Sequence, residues 1–244
     1  MAARETSEMH SDAPRPESRD NASAAANGDR RPIKSRESNW AKAIAAWLAR
    51  RGVSANQISI SGMAFAIGAG AALVLADQGS GGGRSLFALA AALAFLRLLA
   101  NMFDGMVAVE QGRSTPGGAL YNEIPDRISD AAIFAGAGMV PGATLELGLG
   151  AASVSIFVAY VRAADRVAGA PSDFRGPMAK QQRMAVIIAA CLFLTITPAA
   201  WSIDWGPQDE WGWMAAVLWV VIVGGIITAA LRLAAAARYL LGKG

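Results

Sequence analysis

The sequence contains 244 residues, of which 54% are hydrophobic and 17% are charged. A soluble domain would carry about 25% charged residues, so the composition indicates an integral membrane protein. The single cysteine, Cys191, excludes a disulfide within the chain, and the single histidine, His10, argues against histidine catalysis or a histidine metal site. The net charge of +3 is small, so the distribution of charge along the chain matters more than its sum.

The N-terminal region divides into a polar tail and an amphipathic segment. Residues 1–38 contain no aromatic residue and are rich in Ala, Ser, Arg, Asp and Pro, a composition that predicts a disordered tail. From residue 39 onwards, Trp40, Ile44 and Trp47 fall on one helical face, with basic residues elsewhere. This pattern predicts an interfacial amphipathic helix over residues 39–52, which ends at Gly52.

The remainder of the chain, residues 53–240, contains apolar runs long enough to cross a membrane. A helix needs about 20 residues to span the hydrocarbon layer. The sequence therefore predicts an all-α bundle of six transmembrane helices, at approximately 55–76, 85–109, 122–141, 144–165, 183–201 and 212–235.

The basic residues predict the orientation of this bundle. The loops 77–84, 142–143 and 202–211 contain Arg84 as their one basic residue, whereas the tail, the loops near 110–121 and 162–183, and the C-terminus hold most of the Lys and Arg. Basic loops stay on the cytoplasmic side. We therefore expect a multi-pass protein of the cell inner (cytoplasmic) membrane with both termini in the cytoplasm, and with the acidic, Trp-rich loop around Asp204 outside.

Polar side chains interrupt the second and third predicted spans at helical spacing. Asn101 and Asp104 are three residues apart on one face, and Asn122, Asp126 and Asp130 repeat every four residues on another. Ionisable groups inside a membrane are costly and indicate a functional site. Two helices that present such faces to each other would form an oxygen-rich pocket, which hard divalent cations prefer.

These residues also carry a resemblance to a known family. Asp104-Gly105-x2-Ala108 followed by Gly118-x3-Asn122-x3-Asp126 resembles the signature of the CDP-alcohol phosphotransferases, D-x2-D-G-x2-A-R-x8-G-x3-D-x3-D, with its spacing kept. Two further segments are similar to elements of the first and fourth spans of that family: Ala55-Asn-Gln-Ile-Ser59 and Tyr160-Val-Arg162-Ala. The resemblance covers residues 40–240 and also implies six spans after a surface helix.

Three positions depart from the signature, since the first Asp is Asn101, the Arg is Val109 and the third Asp is Asn122. In the family, the aspartates bind one or two divalent metals that hold the CDP diphosphate. The resemblance therefore implies Mg²⁺ (or Mn²⁺) as cofactor, with Asn101, Asp104, Asn122 and Asp126 as the metal-site residues. An amide oxygen can ligate but adds no charge, which weakens a site for two metals; a single ion held by Asp104, Asp126 and substrate phosphates fits these residues, and the choice between one ion and two is left open.

The resemblance implies phosphoryl-type transfer from a CDP-activated lipid to a small alcohol, which is itself phosphorylated in some members. Asp126 is the expected catalytic base for the acceptor hydroxyl. Among the expected substrate-binding residues, Gly105 and Ala108 leave room for the nucleotide, and Gly118 permits the turn between the helices. Arg162, Lys180 and Arg183 are expected to bind an acceptor phosphate or lipid headgroups. Glu123 and Asp130 are auxiliary acids near the proposed metal.

Each of these residues also has a structural interpretation. Asp104 could be a packed, hydrogen-bonded polar residue, and Asp126 an ordinary acid in the first turn of a helix that starts near Pro125. Glu123 could be a helix-end acid and Asp130 a solvated or paired residue. The basic cluster, which includes Arg162, could simply set the topology.

Three functions are therefore compared. The first is a CDP-alcohol phosphatidyltransferase in phospholipid biosynthesis, and the second is a non-catalytic protein of the same fold that binds lipid or nucleotide. The third is a cation or proton-coupled transporter, which is disfavoured because the sequence contains no visible repeat. The expected partners are the lipid donor, the alcohol acceptor and membrane lipids, and not nucleic acid; a homodimer is left open.

Overall fold

The computed structural model describes residues 38–76, 81–112, 118–198, 201–207 and 210–242. The predicted disordered tail, residues 1–38, lies outside these ranges except for Ser38. Seven helices make up most of the described chain, and the β pairing within it is an isolated bridge between Trp205 and Trp211. The predicted all-α class is therefore confirmed for this part of the protein.

A short helix is followed by six long ones, all close to the ranges predicted from sequence. The short helix α1 is Asn39–Arg50, so it ends two residues earlier than predicted, and Gly52 follows with a φ of 75°. The long helices are α2 (Ala55–Leu75), α3 (Gly81–Glu110), α4 (Gly118–Gly138), α5 (Leu145–Val167), α6 (Lys180–Ile196) and α7 (Trp213–Leu241).

Four of the described helices, α2, α3, α5 and α7, are long and apolar enough to cross a membrane. The other two long helices differ for identifiable reasons: α4 carries Glu123, Asp126, Arg127 and Asp130, and α6 is 17 residues long. The chain is thus an all-helical, membrane-embedded protein. Its core holds large side chains from most of the long helices, including Leu73, Phe87, Ile133, Phe134, Ile187, Met214 and Leu218.

The two helices that carry the polar motif both pack on α2. Helix α2 starts at a capping box in which Ser54 and Gln57 satisfy each other's backbone N–H groups. It packs on both α3 and α4. The contact with α4 is very close, because a Cβ atom at Gly136 would lie 2.7 Å from the Cα of Gly70. Small residues permit this approach, as is common between membrane helices.

The remaining helices pack in pairs with their neighbours. Helix α1 packs on α3, with Ala41 and Ala45 fully buried and the ring of Trp40 at 6.1 Å from that of Phe103. Helices α4 and α5 pack against each other across a short connection. Helix α6 packs on α3, and α7 packs mainly on α5.

One expectation about α4 is wrong. Because α4 begins at Gly118, Pro125 and Asp126 lie inside the helix and not in its first turn. Proline is tolerated within membrane helices when the freed carbonyl finds another donor or packing partner. The Ser129 hydroxyl donates to the carbonyl of Pro125 itself at 2.7 Å, which is not the carbonyl four residues earlier that lacks the proline N–H. The interpretation of Asp126 as an ordinary helix-start acid therefore fails.

Candidate functional site

Asp104 is held in a fixed orientation on α3. It is 5% exposed, and its two carboxylate oxygens accept from different donors. The Ser59 hydroxyl of α2 lies 2.9 Å from Oδ2, and the backbone N–H of Gly105 lies 2.5 Å from Oδ1. Each carboxylate oxygen has a second lone pair. Asp104 is thus hydrogen-bonded but keeps the capacity to ligate a cation.

Asp126 faces two cations from neighbouring helices. Arg97 of α3 donates to Oδ1 at 2.5 Å, and the Lys180 ammonium of α6 pairs with Oδ2. The Asp126 side chain is 14% exposed and Arg97 is 3% exposed. These ion pairs join α3, α4 and α6, and they compete with any metal ion or substrate hydroxyl for the oxygens of Asp126.

Lys180, the first residue of α6, connects the two halves of the motif. Its ammonium donates to Oδ1 of Asn101 at 2.5 Å, in addition to its ion pair with Asp126. Lys180 therefore contacts one signature position on α3 and one on α4.

Glu123 lies on the outer side of this cluster. Its carboxylate accepts from Arg162 of α5 at 2.5 Å and pairs with Arg127 one turn along α4. Asn122 is exposed one turn before Asp126. Arg162 is 27% exposed and so remains accessible at this side. Glu123 is thus engaged with two arginines, which does not support its expected role as an auxiliary metal ligand.

Asp130 and Arg183 form a separate, deeply buried ion pair. The Arg183 guanidinium lies 2.8 Å from Asp130, and the two side chains are 2% and 0% exposed. Arg183 also donates to the carbonyl of Met178 at 3.0 Å. The structure therefore corrects two expectations: Arg183 is not open to a substrate phosphate, and Asp130 is committed to an arginine rather than to a metal. The pair joins α4 to α6.

The expected small residues occupy consistent positions. Gly105 and Ala108 follow Asp104 on α3 and are partly exposed. Gly118 is the first residue of α4. The side-chain volume beside Asp104 is therefore small, as the resemblance implied for a nucleotide lying against α3.

The segment that leads into Lys180 is fastened to α7. The hydroxyl of Thr228 accepts from the backbone N–H of Met178 at 2.9 Å, and Arg232 donates to the carbonyl of Arg175 at 3.1 Å. Gly176 has a φ of 112°, and a Cβ there would lie 2.8 Å from the Cβ of Thr228. Glycine is required for both reasons. Helix α7 thus positions the segment 168–179 before α6.

The donor set has the composition of a site for one hard cation. Among the residues that the structure describes, no three His, Cys, Asp or Glu side chains come together in a way that could hold a metal. The converging oxygens come from two carboxylates, Asp104 and Asp126, and from the amide of Asn101. Mg²⁺ often uses only one or two carboxylates together with substrate phosphates. These residues therefore offer oxygen ligands to an ion of this kind.

Sequence reasoning missed two members of the cluster, Arg97 and Ser59. Arg97 lies one turn before Asn101 on the same face, inside an apolar run, and an arginine at such a depth is itself a signal. Ser59 is the last residue of the segment similar to the family's first-span element. Both residues could have been proposed as partners of Asp104 and Asp126. Spacing along the sequence does not show these pairings, because each partner lies on a different helix from its acid.

Comparisons with known proteins agree with this architecture. No family model matches the chain. It is 27% identical to the inner membrane protein YnbA of Escherichia coli over 179 residues, which are 72% of this chain and 84% of YnbA. It is also 27% identical to a phosphatidylinositol phosphate synthase of Streptomyces avermitilis over 192 residues, which are 76% of this chain and 72% of that protein.

Solved structures of the phosphatidylinositol phosphate synthase of Mycobacterium tuberculosis share the fold. The crystal structure with CDP-DAG bound aligns with a TM-score of 0.61 at 21% identity, over 82% of this chain and 94% of that one. The structure with manganese and citrate gives 0.62 at 22% identity, over 80% and 88%.

The fold and the signature residues together make the chain similar to the CDP-alcohol phosphotransferases, in agreement with the resemblance found in the sequence. Within that class, the chain is similar to the phosphatidylinositol phosphate synthases and to YnbA. It departs from the signature at Asn101, Val109 and Asn122.

Proposed function

We propose that the protein is a membrane transferase of phospholipid biosynthesis. It moves a phosphatidyl or other phospho-alcohol group from a CDP-activated lipid to an alcohol and releases CMP. The observation that carries this proposal is that Lys180 contacts both Asn101 of α3 and Asp126 of α4, which occupy the first and last acidic positions of the signature. The named synthases among the relatives, one of which has been solved with CDP-DAG bound, support the same reaction class.

The arrangement in the membrane is also a proposal. Helices α2 to α7 form six spans in the cell inner membrane, and α1 lies at the cytoplasmic interface with Trp40 and Trp47 half exposed. The alternation of basic and non-basic loops favours cytoplasmic termini. In this orientation, Asp104 and Asp126 lie near the cytoplasmic ends of α3 and α4, where a water-soluble acceptor can meet a lipid donor. Residues 53–240 then form the transferase domain, after the tail (1–38) and the interfacial segment (39–52).

Asp104 and Asp126 would hold one divalent ion, Mg²⁺ or Mn²⁺, with help from the amides of Asn101 and Asn122. When bound, that ion would neutralise charge on the diphosphate and on the departing CMP. A manganese-bound structure of the mycobacterial synthase supports a metal in this fold. Ser59 and the Gly105 N–H keep the Asp104 carboxylate in place throughout.

The remaining residues position the reactants. The acceptor oxygen forms a bond to the lipid-side phosphorus, while the bond from that phosphorus to the bridging oxygen breaks and CMP leaves. Asp126 receives the proton of the acceptor hydroxyl as this bond forms. The partly exposed Arg162 and Lys180 then bind the phosphate of an acceptor or a donor, as paired cations do. Gly105, Ala108 and Gly118 leave room for the nucleotide.

A second function, nucleotide or lipid binding without catalysis, is favoured by one observation. Both oxygens of Asp126 are already paired with Arg97 and Lys180. If these pairs persist with substrate bound, Arg97 and Lys180 block the approach of an acceptor hydroxyl to Asp126. This function predicts that CDP-lipid binds but is not converted.

The deciding experiment measures CMP release from a panel of CDP-lipids and alcohols by purified protein in lipid nanodiscs. We expect Mg²⁺-dependent release by the wild type and a fall of at least about 100-fold in Asp126→Asn, the usual contribution of a positioned base. Asp204→Asn, which removes an exposed acid far along the chain, is the matched control and should keep the wild-type rate. Equal rates in wild type and Asp126→Asn, or no release by either, would favour the binding function.

A further inference from the structure

We propose that Lys180 takes the place of one divalent cation and limits the site to a single metal ion. The two signature helices are expected to be bridged by cations, since both present oxygen ligands to each other. In this structure, the bridging cation is an ammonium supplied by a third helix, α6. The proposal rests on the metal-binding part of the proposed function, and its test is separate from transfer activity.

The contacts of Lys180 carry the argument. Its Nζ donates to Asn101 Oδ1 of α3 at 2.5 Å and pairs with Asp126 of α4. These acceptors are the first and last acidic positions of the signature. Nearly four-fifths of the Lys180 side chain is buried, so the ammonium is a member of the cluster and not a solvated surface charge. A metal that bridged the same two oxygens would have to displace it.

The charges of the site explain why lysine and asparagine occur together. The signature provides four carboxylates, but this chain keeps Asp104 and Asp126 and has asparagine at 101 and 122. Arg97 and Lys180 add two positive charges next to the two that remain negative. The site is therefore balanced before any metal binds. Two divalent ions would add four further positive charges to a low-dielectric region, where like charges repel strongly.

Lysine suits this role better than arginine would. Its ammonium is a compact point charge with three donors, whereas guanidinium is a broad planar fork. A compact cation can approach an amide oxygen and a carboxylate from two helices at once. Asn101 accepts this hydrogen bond without adding a charge, so the Asp-to-Asn departure at this position reads as an adaptation to the lysine.

The test counts Mn²⁺ ions on the full chain in nanodiscs, by the electron paramagnetic resonance signal of free Mn²⁺ during a titration without substrate. We expect one ion on the wild type and two on Lys180→Met, with the first ion bound at least about tenfold more tightly because a nearby positive charge is gone. Lys180→Gln, which keeps a donor but not the charge, should behave like Lys180→Met. Lys180→Arg should still bind one ion, and Lys42→Met, on the exposed face of α1, is the control.

A wild-type count other than one would overturn the proposal, and this result does not depend on whether any variant folds. Counts and affinities that are equal in wild type, Lys180→Met and Lys180→Gln would also overturn it. CMP release is measured on the same wild-type sample. If the wild-type protein is active and binds two ions, the proposal that Lys180 replaces a metal ion is refuted, but the transferase function is not. If it is inactive and binds one ion, the transferase function is refuted, but the role of Lys180 is not.

Discussion

The buried pair of Arg183 and Asp130 makes a quantitative prediction about stability. Arg183→Met removes the guanidinium, nearly preserves side-chain length, and leaves Asp130 at 0% exposure without its ion-pair partner. Breaking a buried pair by removing one partner costs about 3–5 kcal/mol. We expect a loss of this size in the free energy of unfolding, measured by sodium dodecyl sulfate titration in mixed micelles.

Two comparisons isolate the cause of that loss. Arg175→Met breaks the pair with Asp173, in which Arg175 is 63% exposed, and it should cost no more than about 1 kcal/mol. The double variant Arg183→Met/Asp130→Leu removes both charges and should recover most of the loss, because apolar replacements of a whole buried pair are often neutral. A loss below about 1 kcal/mol in Arg183→Met, or a double variant less stable than the single one, would refute the reasoning.

Three further predictions follow from the helix contacts and the loop charges. Gly136→Ala places a Cβ against the backbone of α2 and should destabilise the protein by about 1–3 kcal/mol. Gly150→Ala meets only ordinary packing distances and should not destabilise it; equal unfolding curves for the two variants would contradict this prediction. Thr228→Val removes the acceptor of the Met178 N–H and should increase tryptic cleavage within segment 168–179 about fivefold. Thr195→Val removes only a hydrogen bond to the carbonyl of Cys191 in the preceding turn of the same helix and should leave cleavage unchanged. Equal cleavage in the two variants would contradict the conclusion that α7 holds segment 168–179 in place. A cysteine introduced at Glu210 in a cysteine-free background should react with an impermeant reagent in intact cells; reaction only after permeabilisation would reverse the predicted orientation.

The sequence predicted those features that depend on local periodicity. Runs of apolar residues identified the six long helices within a few residues, because a helix must satisfy its own backbone in a membrane. The spacing of Asn101 and Asp104, and of Asn122 and Asp126, identified two polar faces. The apolar run placed the start of α4 at residue 122, four residues too late, and Pro125 was therefore interpreted as part of the first turn, whereas the structure keeps it inside the helix.

The pairing of charges could not be predicted in the same way. Arg183 and Asp130 are 53 residues apart, and Lys180 and Asn101 are 79 apart. Spacing within a helix shows which residues share a face, but it does not show how the helix is rotated against its neighbours. Arg183 was consequently expected at the substrate and is found in the core, while Arg97 was overlooked although it contacts Asp126.

The tether between segment 168–179 and α7 has a consequence for biogenesis. Every residue proposed for the site lies before Arg183, so all of them have been synthesised before α7 begins at Trp213. Yet Thr228 and Arg232, which fasten the segment before Lys180, lie in the second half of α7. A nascent chain that has inserted α1 to α6 thus contains the complete set of proposed site residues without the anchor of its cationic segment. The ability to engage substrate should therefore arise late, when the last helix has entered the membrane.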